Sequence, residues 1–124
     1  MKSLKKRNIR WGIIGLGNIA NEFASDLSTI KDAELYAVAS RSQHKADAFA
    51  KKHQATKAYA SYQELVNDTN IDAVYIATPH SEHKENTQLC LQQGIAVLCE
   101  KPFAMDANQV NSMIAMAQKN NVLL

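Results

Sequence analysis

The stretch Ile9-Arg10-Trp11-Gly12-Ile13-Ile14-Gly15-Leu16-Gly17-Asn18-Ile19-Ala20 decides how this 124-residue chain reads. Its short apolar run, bounded by glycines, predicts a buried strand. The residues after it predict a helix with Ile19, Phe23 and Leu27 on one face. Between the two, Gly15, Gly17 and Ala20 stand at the G-x-G-x-x-G/A spacing of a dinucleotide-binding turn. Glycine at 15 allows the tight strand-to-helix turn, and the missing side chain at 17 lets backbone N–H groups approach a pyrophosphate. Ala20 is small enough for helix and strand to pack closely. The unpaired N–H groups of the first helical turn then face the phosphates, whose negative charge the helix dipole favours. Glycines this close also occur in ordinary turns, so the pattern takes its weight from standing directly between a strand and a helix.

Composition narrows the class. Apolar residues make up 46% of the chain and charged residues 21%, ordinary proportions for a soluble globular protein. A chain of 124 residues is expected to fold as one domain burying about two thirds of its unfolded surface. The net charge of +2 is unevenly placed. Lys2, Lys5, Lys6, Arg7 and Arg10 supply five of the fourteen basic residues, leaving nine basic against twelve acidic residues elsewhere. Residues 1–8 thus read as a basic arm. With no aromatic residues interleaved and no second basic cluster, the arm reads as a solvated terminus, and neither nucleic acid nor a membrane is an expected partner. The apolar run behind it is too short and too broken by glycines for a secretory signal, and no segment approaches the length of a bilayer span. Cys90 and Cys99 form no C-x-x-C pair and read as reduced core residues, so a cytoplasmic location is the expectation.

Downstream, strands and helices alternate. Strands are predicted at 34–40, 57–59, 71–78 and 95–99. Ser42 caps a helix that carries Ala46, Phe49 and Ala50 inward and ends near His53, while Ser61-Tyr62-Gln63-Glu64 is a capping box for a short helix. Ser81 is the expected cap of a helix ending at Gly94, and Asp106-Ala107-Asn108-Gln109 opens a last helix through Val110, Met113, Ile114 and Ala117. The alternation predicts an α/β fold of Rossmann type: a doubly wound parallel sheet, helices on both faces, and a ligand crevice beyond the carboxyl ends of the strands. Asn121-Val122-Leu123-Leu124 reads as a truncated sixth strand, so residues 9–124 are expected to be the dinucleotide-binding domain of a longer protein.

Three strand ends carry candidate chemistry. The second ends in Ser40-Arg41-Ser42, where an NAD site usually places an acidic residue to hold the ribose hydroxyls. Arg41, helped by Lys45, suits the 2′-phosphate of NADP instead, in a two-pronged contact worth about 1.5 to 3 kcal/mol. A solvated arginine at a strand end is the plainer alternative. The fourth strand ends in Ala77-Thr78-Pro79-His80, with His83 one turn on. Two histidines without further ligands make a poor zinc site, so no metal is expected. A polar loop beside the cofactor ribose fits better, with His83 hydrogen-bonded there or exposed. His44 and His53 read as plain surface residues. The fifth strand ends in Glu100-Lys101-Pro102, where a lysine in a crevice can serve as acid or base if burial lowers its pKa. Glu100 could pair with it or hold the cofactor, and Pro102 stiffens the turn.

These motifs in this order resemble the Gfo/Idh/MocA family of oxidoreductases, from about Ile9 to the end of the chain. The dihydrodiol dehydrogenase-type members are the most similar within it. The resemblance implies a nicotinamide-dependent oxidoreductase acting on sugars, polyols, cyclitols or diols. It implies that Gly15, Leu16, Gly17, Asn18 and Ile19 hold the pyrophosphate, Ser40 and Arg41 the 2′-phosphate, and Ala77, Thr78, Pro79 and His80 the ribose region. Lys101 would assist proton transfer as hydride moves to or from nicotinamide C4, with Glu100 supporting the cofactor. NADP is the expected cofactor and NAD stays open. Members of the family carry a second α/β domain that completes the substrate pocket and usually mediates dimerisation. That domain is expected to lie outside these 124 residues, so turnover is not expected of them alone and a homo-oligomer stays open. The alternative is a free-standing, non-catalytic cofactor-binding module.

Overall fold

The computed structural model describes residues 8–99. Five strands, β1 (Ile9–Ile14), β2 (Ala33–Ala39), β3 (Lys57–Tyr59), β4 (Ala73–Ile76) and β5 (Ala96–Cys99), form one parallel sheet in the order β3-β2-β1-β4-β5. Helices α1 (Asn18–Leu27), α2 (Gln43–His53), α3 (Tyr62–Val66) and α4 (His83–Gln92) connect them. The chain starts in the middle of the sheet, winds outward through β2 and β3, then crosses back to lay β4 on the other edge of β1. The direction of winding therefore reverses between β1 and β4, which is where an open α/β sheet leaves its crevice.

Side chains alternate between two cores, as the period of a strand dictates. Trp11, Ile13, Val38, Tyr75 and Ala96 point to one face, where Phe23, Ala24 and Leu27 of α1 and Phe49 of α2 cover them. Phe23 stacks on Tyr75 at 4.0 Å between centroids and meets Trp11 edge-on at 5.4 Å, an arrangement aromatic rings favour. Ile14, Ala37, Ala39, Val74, Ile76 and Val97 point to the opposite face, beneath Leu65 and Val66 of α3 and Cys90 of α4. The prediction of a sheet covered on both faces holds.

Three local expectations hold and three need correction. Ser42 Oγ accepts from Lys45 N and Ser61 Oγ accepts from Glu64 N, so both serines cap their helices. Gly94, at φ +73°, closes α4: its N–H donates to Leu91 O at 3.0 Å and the next N–H, of Ile95, to Cys90 O at 3.1 Å, the paired bonds of a Schellman motif. Ser81, however, caps nothing. After Pro79 the chain makes a one-turn 3-10 helix over His80–Glu82, closed by Glu82 N donating to Pro79 O at 2.8 Å, and α4 starts only at His83 with Glu82 as its N-cap residue. A residue already inside that turn lacks the extended backbone a capping serine needs. Ile19 is exposed, and the buried stripe of α1 is Ala20, Phe23, Ala24 and Leu27. His53 is not a plain surface residue: its ring is half-buried against Phe49, 4.5 Å between centroids, and its Nε2 lies 2.7 Å from Asn21 Oδ1 of α1.

Candidate functional site

An open cleft of about 530 Å³ lies at the carboxyl edge of the sheet, beyond the ends of the paired strands β1 and β4. Gly15, Leu16, Gly17, Asn18 and Ile19 form one wall, Ala77, Thr78 and Pro79 the opposite one, and Ser40, Lys45 and Tyr62 the end toward β2. The turn between β1 and α1 is fixed from both sides, since Gly15 N donates to Ala39 O at 3.2 Å and Ala77 N donates to Ile14 O at 2.8 Å.

The two glycines do different things. Gly15 has φ +91°, and a Cβ there would sit 2.8 Å from Thr78 N and 2.9 Å from Ala77 C, so a side chain is barred by backbone that cannot move aside. At Gly17 a Cβ would meet nothing within 4 Å. The space over Gly17 belongs to the cleft rather than to the core. Gly17 is also the N-cap residue of α1, and no side chain caps that helix, unlike the serine-capped α2 and α3. The first N–H groups of α1 are thereby left for whatever enters the cleft, where the helix dipole favours an anion. Among the described lining residues none is acidic and Lys45 is basic, which suits the same charge. These features fit the phosphates of a dinucleotide.

The opposite wall is held by α4. Thr78 is buried, its hydroxyl donates to Asn86 Oδ1 at 2.5 Å, and its carbonyl receives a hydrogen bond from His83 Nε2 at 2.8 Å. A carbonyl only accepts, so Nε2 carries the proton. His83 therefore pins the wall from behind and does not line the cleft. At the β2 end, Ser40 is nearly buried and its Oγ accepts from Ser42 N at 3.2 Å. Arg41 is outside the lining. Its Nη2 lies 2.6 Å from Glu82 Oε1, and its guanidinium carbon is 5.7 Å from the centre of the Tyr62 ring. Burial pushes the Tyr62 hydroxyl above its ordinary pKa, with Arg41 pulling it down and Glu82 pushing it up.

The structure thus brings Gly15 to Ile19, Ser40, Lys45 and Ala77 to Pro79 around one space, and puts Arg41 on its rim. His80 lies in the 3-10 turn beside that wall. Glu100, Lys101 and Pro102 lie outside the described residues. Tyr62, Glu82 and Asn86 join the site although no motif in the sequence marks them. Tyr62 was legible in principle, because the carboxyl end of β3 must also face the crevice. The parts played by Glu82 and Asn86 depend on contacts that no local spacing shows. Among the described residues no three His, Cys, Asp or Glu gather as metal ligands, and no helix is long and apolar enough to cross a membrane.

Residues 9–124 match the family described as "Oxidoreductase family, NAD-binding Rossmann fold", Gfo/Idh/MocA. The chain is 46% identical over 118 residues to trans-1,2-dihydrobenzene-1,2-diol dehydrogenase of Mus musculus, covering 94% of this chain and 35% of that protein. The crystal structure of a probable dehydrogenase from Thermotoga maritima superposes with a TM-score of 0.74 at 34% identity, over 94% of this chain and 35% of the other. A 3-ketoreductase from Actinomadura kijaniata, solved with TDP-benzene and NADP, gives a TM-score of 0.77 at 31% identity, over 95% of this chain and 37% of the other. The chain therefore spans little more than a third of the length of these relatives.

Proposed function

The chain belongs to the Gfo/Idh/MocA oxidoreductase family, and on that premise we propose that it is the NADP(H)-binding part of an enzyme oxidising or reducing a CH–OH group of a sugar, polyol, cyclitol or diol. The observation that carries this reading is the cleft over the uncapped N-terminus of α1, open above Gly17 and free of acidic lining among the described residues. Backbone N–H groups of the Gly15 to Ile19 turn hold the pyrophosphate, and Ala77, Thr78 and Pro79, with His80, flank the ribose next to the nicotinamide. Ser40, Arg41 and Lys45 receive the adenosine 2′-phosphate. The absence of an acidic residue at the end of β2 favours that phosphate, which a carboxylate would repel. The relative from Actinomadura kijaniata, crystallised with NADP, lends support.

When bound, the cofactor supplies the hydride donor or acceptor. The protein's part is to fix the ring above the cleft wall, exclude water and manage the proton of the reacting oxygen. Lys101, next to Glu100 and Pro102, is proposed for that proton by the resemblance of the Glu-Lys-Pro motif to the family pattern. Residues 9–124 are proposed as the cofactor-binding half, with a second domain supplying the remaining substrate contacts. Relatives named for a dihydrobenzene diol favour a diol among the substrate classes.

Fluorescence titration of the chain and of Arg41→Ala with NADPH and NADH tests the cofactor assignment. Loss of the arginine is expected to weaken NADPH by about 10- to 100-fold and NADH little. Equal losses for both would remove Arg41 from the phosphate site.

A further inference from the structure

We propose that Glu82 is a specificity-determining residue of this cleft. Its carboxylate holds the Arg41 guanidinium that a 2′-phosphate needs, so NADP must displace it and NAD need not. This rests on the reading of Arg41 as the phosphate anchor. The ion pair closes from either side of β1: Arg41 follows the carboxyl end of β2, and Glu82 follows that of β4, 41 positions apart in the chain. Its two members are unequally fixed. Glu82 sits on the 3-10 turn, its N–H bound to Pro79 O at 2.8 Å, and its side chain is 21% exposed, whereas the Arg41 side chain is 71% exposed. The carboxylate is the stationary partner and the guanidinium the one able to swing.

Where the guanidinium rests also matters. It lies 5.7 Å from the centre of the Tyr62 ring, and Tyr62 lines the cleft together with Ser40 and Lys45. A rotation of the arginine toward Ser40 and Lys45 gives up one oxygen of Glu82 and gains a phosphate that carries about −1.5 to −2 charges, against one for the carboxylate. The planar guanidinium can take two phosphate oxygens at once. The phosphate therefore wins the exchange, but against an opposing pair. Because Arg41 is so exposed the pair is weak, and its cost to NADP binding is a factor of about 2 to 5. NAD, with a hydroxyl in place of the phosphate, leaves the pair intact.

Calorimetric titration of Glu82→Gln, Arg41→Ala and the double variant with NADPH and NADH tests this. Glutamine keeps the shape and removes the charge, Glu82→Ala serves as a second variant, and a thermal melt establishes that each is folded. The expected result is NADPH bound about 2- to 5-fold tighter by Glu82→Gln, NADH unchanged within error, and no gain when Arg41 is already alanine. Weaker NADPH binding by Glu82→Gln would show instead that Glu82 aims Arg41 at the phosphate, and would overturn the proposal. An equal gain for both cofactors, or a gain that persists without Arg41, would reduce the effect to the general field of one carboxylate and overturn it too. Failure of the underlying reading looks different: Arg41→Ala alone would then weaken NADPH and NADH equally.

Discussion

Gly15 and Thr78 pack backbone against backbone: a Cβ on Gly15 would lie 2.8 Å from the Thr78 nitrogen, at a φ of +91° that side chains rarely adopt. The turn after β1 and the end of β4 are thereby locked together, and the cleft opens above them. Gly15→Ala is expected to cost about 2 to 4 kcal/mol from overpacking and backbone strain, read from the midpoint of urea unfolding. Gly17→Val should differ in kind. With open space around it, the new side chain should change stability by no more than about 1 kcal/mol, yet NADPH and NADH should both cease to bind. A folded Gly17→Val chain with unchanged affinity would contradict the glycine-turn assignment.

Thr78 is held from behind by two side chains of α4, Asn86 on its hydroxyl and His83 on its carbonyl. Asn86 is buried, so truncating it leaves the Thr78 hydroxyl without that acceptor and opens a polar hole. Asn86→Ala should destabilise the fold by about 1 to 3 kcal/mol and weaken cofactor binding through the displaced wall. Denaturation and titration on the same sample separate the two effects. A destabilised variant with full affinity would mean that the Thr78 wall tolerates movement.

His53 joins the end of α2 to α1 through Asn21, whose Nδ2 donates to Gly17 O at 3.2 Å. Burial, and then the neighbouring charge of Lys52, hold the His53 ring below its ordinary pKa of 6.5. The neutral ring is the form the fold favours. Its contribution is therefore complete above pH 6.5 and is lost as the pH falls through the lowered folded value. His53→Gln removes the titration, so its stability should vary less than the parent's between pH 7.5 and pH 5. Equal slopes in the two proteins would place the acid sensitivity elsewhere.

Local chemistry made most of this fold legible. The glycines and apolar run of Ile9 to Ala20 announce a strand, a turn and a helix, and Ser42, Ser61 and Gly94 mark helix ends by hydrogen bonds that neighbouring residues complete. Ser81 misled because Pro79 shapes the next turn before a helix can begin. Ile19 misled for a related reason: hydrophobicity suggested the core, but its place in the first turn of α1 puts it on the cleft wall. What no single stretch could reveal are the pairings across the sheet. Arg41 with Glu82 and His53 with Asn21 exist only once the strand order places their elements side by side.

The most direct test of the central claim is calorimetric titration of the 124-residue chain with NADPH and NADH in parallel, with Gly17→Val as the control. Heat of binding for both cofactors, NADPH the tighter, and no heat from the folded control are the expected results. A folded chain that binds neither cofactor, or that prefers NADH, would contradict the assignment of the cleft as an NADP(H) site.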